Sequence, residues 1–175
     1  MKKFILSIDQ GTTSSRVVLY DHKFIIKDIA QKEFTQYFPR DGWVEHDAEE
    51  IWFDVKKLIN LIIKNNKLKP SQIISIGITN QRETTVLWNK KTGKPIYKAI
   101  VWQDRRTANY CNKLKSNKKD RIIQKITGLV LDPYFSATKI NWILNNIPKK
   151  NIGQIKNILF GTIDTWLLWK LTNGR

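Results

Sequence analysis

Two observations predict an α/β fold with a mixed sheet flanked by helices. The first 30 residues hold three short apolar runs separated by polar turns, a pattern that predicts consecutive antiparallel strands. From residue 47 onward, amphipathic helical segments alternate with short β-branched runs. The chain has 175 residues, a length that suits one domain, and contains neither an internal repeat nor a low-complexity tract.

The opening segment predicts a three-stranded meander, with strands at 4–8, 17–20 and 24–30. The first turn, residues 9–16, reads Asp-Gln-Gly-Thr-Thr-Ser-Ser-Arg. Its hydroxyls, backbone N–H groups and guanidinium suit a phosphate chain, and Asp9 suits a divalent cation. A strand follows this turn where a P-loop would have a helix, and the Gly-Lys-Ser/Thr of a P-loop is absent. The turn by itself leaves an ordinary polar hairpin turn equally open.

The remaining elements are predicted from periodicity and capping residues. Asp47 precedes two acidic residues and an apolar stripe of helical spacing. This pattern predicts a helix that begins after Asp47 as its cap and ends near Asn65. The run 73–78 is β-branched and apolar on both faces, which predicts a central strand of parallel type. The other predicted elements are strands at 84–88, 99–102 and 158–160, and helices at 104–115, 120–127, 136–146 and 165–171, with Asp104, Ser136 and Asp164 as helix caps.

The charge balance raises nucleic-acid binding as an alternative function. The formal net charge is +16, from 31 Lys and Arg against 15 Asp and Glu. Of those cations 24 are Lys and seven are Arg, and they are scattered along a chain that is also rich in Ile and Asn. Such a composition is typical of an AT-rich gene and a solvated surface, so we expect no nucleic-acid partner.

The single cysteine and the hydropathy pattern bear on the cellular compartment of the protein. Cys111 has no partner within the chain for a disulfide, which favours a reducing environment. The N-terminal apolar run ends at Asp9, too early for a signal peptide. Since no stretch approaches the roughly 20 apolar residues of a membrane span, we expect a cytoplasmic protein without a membrane partner.

Polar and aromatic side chains that follow the predicted strands are candidates for ligand binding. Arg82 and Glu83 come directly after the run 73–78, where α/β sheets gather ligands, and together they offer the donors and acceptors that polyol hydroxyls need. A surface ion pair is the alternative. Trp102 can lie against the C–H face of a polyol or pack in the core, and Tyr134 can bind or be structural.

Six motifs stand in a fixed order along the chain, at residues 9–16, 42–47, 77–85, 99–106, 128–136 and 160–167. In this order they resemble the FGGY carbohydrate kinases. The run Asn-Gln-Arg-Glu-Thr-Thr at 80–85 favours the glycerol kinases of that family over its pentose or hexose kinases. Ser136, Lys139 and Trp142 also stand at the spacing of the family's signature.

The resemblance implies a ribonuclease H-like, actin-like ATPase fold and the ATP-dependent phosphorylation of glycerol to sn-glycerol 3-phosphate, with Mg²⁺ as cofactor. By resemblance, the residues that contact ATP phosphates are Thr12, Thr13, Ser14 and Arg16, and Asp9 helps to hold the metal. By resemblance, the residues that bind glycerol are Arg82, Glu83, Trp102 and Tyr134.

The resemblance also implies that residues 1–175 are the first of two FGGY domains, and incomplete. Members of the family are far longer, and their catalytic base is an Asp of a Gly-Asp-Gln-type motif expected beyond residue 175. We therefore expect no catalytic base on this chain. The resemblance also leads us to expect a homo-oligomer for the full-length protein. A pentulose kinase, an inactive fragment and a basic binding domain remain the alternatives.

Overall fold

A computed structural model describes residues 2–153 and 155–174, which form two compact units. The first unit holds the described residues of Met1–Thr35, Asp47–Gln81 and Ile163–Arg175. The second holds those of Gln36–His46 and Arg82–Thr162. Within these described residues, no helix has the length and apolar character needed to span a bilayer.

An all-strand opening is followed by mixed strands and helices, as the sequence predicts. The strands are β1 (Phe4–Gln10), β2 (Ser14–Asp21), β3 (Ile26–Glu33), β4 (Glu45–His46), β5 (Ile73–Asn80), β6 (Val86–Asn89), β7 (Lys94–Pro95), β8 (Ala99–Ile100) and β9 (Ile158–Gly161). The helices are α1 (Ala48–Asn65), α2 (Ala108–Ser116), α3 (Lys119–Thr127), α4 (Ser136–Asn146), α5 (Lys149–Ile152) and α6 (Ile163–Leu171), with short 3₁₀ turns at Pro70–Gln72 and Ile155–Asn157.

The first unit is built on a four-stranded sheet in the order β3-β2-β1-β5. β1, β2 and β3 pair antiparallel and β5 pairs parallel to β1, so the predicted mixed sheet is confirmed. Helix α1 packs on this sheet through an apolar stripe at helical spacing. The stripe consists of Ile51, Val55, Leu58 and Ile62, all buried.

Asp47 begins α1 as predicted. Its carboxylate accepts hydrogen bonds from the backbone N–H groups of Glu49 and Glu50, at 2.9 and 3.3 Å. These bonds satisfy two donors that the first helical turn leaves open. The helix ends at Asn65, where the predicted apolar stripe fades.

The predicted central position of β5 is wrong, although its parallel pairing is confirmed. Among the described residues β5 pairs with β1 alone and forms an edge of the sheet. Ile74 and Ile76 are 53% and 43% exposed, beside an open apolar cavity of about 370 Å³. An apolar run on both faces of a strand indicates surface that favours burial, but it does not indicate how many strands stand beside it.

The second unit contains two small antiparallel sheets. β4 pairs with β8, and β6 lies between β7 and β9. Its core centres on the buried residues Leu87, Ile100 and Ile143, the last of which belongs to α4. This packing anchors α4 to the strands of its own unit.

Three predicted helix caps are wrong, because each side chain has another role. Helix α2 begins at Ala108, and Asp104 is instead buried in an ion pair. Ser136 is the first residue of α4, and its hydroxyl reaches a carbonyl of another loop. Asp164 lies inside α6 and accepts a hydrogen bond from Asn80 at 2.8 Å. Short polar side chains suit caps, but tertiary partners compete for them.

Candidate functional site

The turn between β1 and β2 is the predicted hairpin. The two strands pair antiparallel, with Asp9 opposite Arg16. The N–H of Gly11 donates to the Ser14 carbonyl at 2.9 Å and closes the turn. A Cβ atom at Gly11 would lie 3.3 Å from that carbonyl oxygen, so the tight closure favours glycine here.

Buried amide side chains brace the hairpin within the first unit. The backbone N–H of Gln81 donates to the Gln10 carbonyl at 2.7 Å, and Gln81 Nε2 donates to the Gly11 carbonyl at 3.2 Å. Ser15 Oγ donates to Gln10 Oε1 at 2.7 Å. Because these bonds form within the chain itself, the turn is ordered before any ligand binds.

The predicted phosphate-binding hydroxyls lie together on this braced turn. Thr13 is exposed, while Thr12 and Ser14 are half-buried. Ser14 Oγ accepts a hydrogen bond from Gln31 Nε2 at 3.0 Å, which leaves its own hydrogen for another acceptor. The turn therefore presents polar groups at the surface of its unit.

Asp9 and Arg16 flank the turn with opposite charges. Arg16 Nη1 lies 3.7 Å from Asp9 Oδ2, each side chain is 44% exposed, and Arg16 Nε donates to Gln31 at 3.0 Å. In the described part of the chain, no group of three or more His, Cys, Asp or Glu residues could hold a metal ion. A single exposed carboxylate nevertheless fits Mg²⁺, which keeps several waters and takes further oxygens from a phosphate chain.

The predicted polyol residues all belong to the second unit. Arg82 is exposed and Glu83 is half-buried. Glu83 has a φ of +65°, a left-handed conformation that is uncommon for a residue with a Cβ. Its carbonyl accepts hydrogen bonds from Thr85 Oγ1 at 3.2 Å and from Ser136 Oγ at 3.3 Å.

Trp102 and Tyr134 meet in the same unit. Both are half-buried, and their ring centroids are 6.0 Å apart with planes inclined at 65°. The N–H of Trp102 donates to Thr84 Oγ1 at 3.3 Å, and that of Tyr134 to Asp132 Oδ1 at 2.8 Å. An edge-to-face aromatic pair of this kind offers an apolar surface with a phenolic hydroxyl at one end.

Lys139 is a buried cation that the sequence marked only through the spacing of a family signature. Its Nζ atom donates to the Tyr134 carbonyl at 2.6 Å, and the residue has no exposed surface. Burial lowers the pKa of Lys139 to about 8, and the nearby Asp104, Glu83 and Asp132 oppose that shift. The ammonium therefore remains charged at neutral pH.

Arg106 forms a buried ion network that the sequence did not predict. Its Nη2 atom lies 2.8 Å from both Glu45 Oε1 and Asp104 Oδ2, and its side chain has no exposed surface. The guanidinium carbon lies 3.8 Å from the ring centroid of Trp43 and 4.6 Å from that of Trp142. The network fixes Asp104, two residues after Trp102, and thereby orders this loop.

The fold is that of a carbohydrate kinase domain. Residues 4–174 match the family model described as the FGGY family of carbohydrate kinases, N-terminal domain. The chain belongs to this family. The solved gluconate kinase of Lactobacillus acidophilus shares the fold, with a TM-score of 0.84 over 97% of this chain and 33% of that one, at 20% identity. The predicted actin-like ATPase fold is thereby confirmed.

The chain is also similar to curated and solved glycerol kinases. The chain is 54% identical to those of Staphylococcus haemolyticus and Thermus thermophilus, over 99% and 100% of its length and 35% and 36% of theirs. A solved Plasmodium falciparum glycerol kinase with ADP is 39% identical, with a TM-score of 0.90 over 99% of this chain and 35% of that one. The chain thus spans about a third of the length of these relatives.

Proposed function

We propose that this chain is part of a glycerol kinase, which transfers the γ-phosphoryl group of ATP to glycerol and yields sn-glycerol 3-phosphate. The observation that carries the proposal is the 54% identity to curated glycerol kinases over 99% or more of the chain. Among solved structures, the glycerol kinase is 39% identical, whereas xylulose and gluconate kinases are only 16–22% identical. The pentulose kinase alternative is therefore not favoured.

In this proposal the second unit binds glycerol. Arg82 donates to, and Glu83 accepts from, the hydroxyl groups, while Trp102 and the ring of Tyr134 cover the carbon chain. The half-buried aromatic pair and the fixed Glu83 loop support this assignment. Such binding orients one hydroxyl for attack, and phosphoryl transfer gains most of its rate from orientation and charge neutralisation.

The β1–β2 hairpin of the first unit binds the phosphates of ATP in this proposal. Thr12, Thr13 and Ser14 donate hydroxyl hydrogens to phosphate oxygens, and Arg16 adds a positive charge. Asp9 helps to hold Mg²⁺, which neutralises phosphate charge when it is bound. The hydrogen bonds that hold the turn support the assignment. So does the 3.7 Å distance between Asp9 Oδ2 and Arg16 Nη1, which is too long for a tight ion pair between the two side chains.

We further propose that residues 1–175 belong to the first of the two FGGY domains and that the proton acceptor for the glycerol hydroxyl lies outside this chain. The chain's coverage of about a third of its relatives supports this division. The same proposal includes a cytoplasmic homo-oligomer without a nucleic-acid or membrane partner. A buried free Cys111 and the scattered lysines are consistent with it.

The test is a kinase assay on a polypeptide of the relatives' length that carries this chain at its N-terminus. ADP release is measured with glycerol and, in parallel, with xylulose. We expect glycerol to be phosphorylated about 100-fold more efficiently than xylulose, because the polar groups of the site match one polyol.

The variant Glu83→Gln should raise KM for glycerol about tenfold with little change in KM for ATP, since it loses an anionic acceptor.

Two controls complete the assay. The exposed substitution Lys90→Gln should leave both KM values unchanged. The 175-residue chain alone should show no turnover above background, and measurable turnover by it would contradict the assignment of the proton acceptor. Rapid turnover of xylulose without turnover of glycerol would contradict the proposed substrate.

A further inference from the structure

We propose that Ser136 and Lys139 are positioning residues that hold Glu83 and Tyr134 in a fixed relation for polyol binding. The inference rests on the proposed function and deepens it. Neither residue is assigned a contact with the polyol itself. Both act from the first turn of α4, on two different loops of the second unit.

The first contact holds the backbone at Glu83. A left-handed φ of +65° is unfavourable for glutamate, and such residues persist only where their surroundings hold them. Thr85 Oγ1 and Ser136 Oγ both donate to the Glu83 carbonyl, at 3.2 and 3.3 Å. One donor comes from the same loop and the other from α4, so the peptide group is held from two sides.

The second contact holds the backbone at Tyr134. Lys139 stands three residues after Ser136 on α4, and its Nζ atom donates to the Tyr134 carbonyl at 2.6 Å. A hydrogen bond from an ammonium group is shorter and stronger than one between neutral groups. Lys139 has no exposed surface, and the neighbouring Asp104, Glu83 and Asp132 oppose the lowering of its pKa by burial.

Helix α4 is a firm anchor for both contacts. Its Ile143 is fully buried in the core of the second unit, and Thr138, between the two positioning residues, is buried against Thr107 with their hydroxyls 2.9 Å apart. The distance between the Glu83 loop and the Tyr134 loop is therefore set by two side chains on one rigid helix. A polyol that bridges Glu83 and Tyr134 depends on that distance, because misplaced groups lose hydrogen bonds.

Kinetics of variants in the polypeptide of the relatives' length test the proposal. We expect Ser136→Ala to raise KM for glycerol about tenfold and to change KM for ATP by less than about twofold, with Ser136→Thr close to the parent because the hydroxyl is restored. Lys139→Met should raise KM for glycerol at least as much. The matched control Lys149→Met, at an exposed position of the same unit, should change neither value.

A second measurement does not depend on activity or on Lys139→Met folding. The Thr84 amide shares a peptide group with the Glu83 carbonyl, so its NMR signal in the 175-residue chain should shift in Ser136→Ala and stay in place in Lys149→Met. An unmoved signal would overturn the proposal, and so would equal rises in KM for glycerol and ATP. A shifted signal in a protein that does not phosphorylate glycerol would count against the proposed function alone.

Discussion

Burial separates the roles of two consecutive arginines. Arg106 has a fully buried side chain held by Asp104 and Glu45, whereas the side chain of Arg105 is 57% exposed and pairs with Asp132 at 3.1 Å. Breaking a buried ion pair leaves an uncompensated charge in a low-dielectric interior, while an exposed pair is screened by water. The same residue type at neighbouring positions therefore makes very different contributions to stability.

We predict that Arg106→Met destabilises the chain by about 3–5 kcal/mol, because it leaves the carboxylates of Asp104 and Glu45 buried without their cation. Arg105→Met, the matched control, should cost less than about 1 kcal/mol. Urea denaturation of both variants, followed by tryptophan fluorescence, gives the free energies of unfolding. Equal decreases in the free energy of unfolding in the two variants would show that the buried ion network does not stabilise the fold more than the exposed pair does.

Residues with partners close by in the sequence were predictable, whereas residues with distant partners were not. Asp9 and Arg16 were predictable because a short turn places them across one hairpin. The Arg106 network joins residues 61 positions apart, and no local pattern reports that pairing. Residue type alone favours an exposed position for Arg106, since arginine is mostly exposed unless it is paired.

At the scale of elements, β4 places a histidine in the interior. His46 is fully buried, and its Nε2 atom lies 2.7 Å from Gln36 Oε1. Burial lowers the pKa of His46 from 6.5 to about 4, because the charged imidazolium loses its hydration. The neutral ring is therefore the form that fits the two-residue ladder between β4 and β8.

The burial of His46 predicts that the free energy of unfolding depends on pH in a defined acidic range. Between pH 6.5 and about 4 the unfolded chain binds a proton that native His46 does not, so the free energy of unfolding falls as the pH falls. The loss from this group should reach about 2 kcal/mol between pH 7 and pH 5. Urea denaturation at both pH values should show this slope in the parent and a flatter one in His46→Gln. An unchanged slope in the variant would assign the effect to other groups.

Element types were more predictable than element positions and ends. The apolar spacing of α1 and its cap at Asp47 were sufficient to predict this helix and its first residue, because both signals are local. β5 was predicted as a strand of parallel type, yet its place at the sheet edge depends on which other strands are available. The caps expected at Asp104 and Ser136 failed because both side chains bond to groups that are remote in sequence.

At the scale of the whole molecule, the surplus of positive charge is dispersed. The net charge of +16 comes mostly from lysines, and three of these lysines have carboxylate partners in the described residues. Lys27 pairs with Asp21 at 3.0 Å and Lys32 with Asp54 at 2.6 Å. Nucleic-acid affinity grows with the number of phosphates neutralised together, so we expect scattered and partly paired lysines to give only a weak, salt-sensitive attraction.

We predict that the 175-residue chain binds a labelled DNA duplex only at low salt and releases it at about 150 mM, because counterion release is then its main driving force. Fluorescence anisotropy across a salt series measures this directly. The matched control replaces three cations of one exposed segment, Lys118→Glu, Lys119→Glu and Arg121→Glu. If attraction comes from the whole surface, this triple variant should weaken low-salt binding only in proportion to its lost charge. Binding that persists at 150 mM and disappears in the triple variant would instead identify that segment as a dedicated nucleic-acid site.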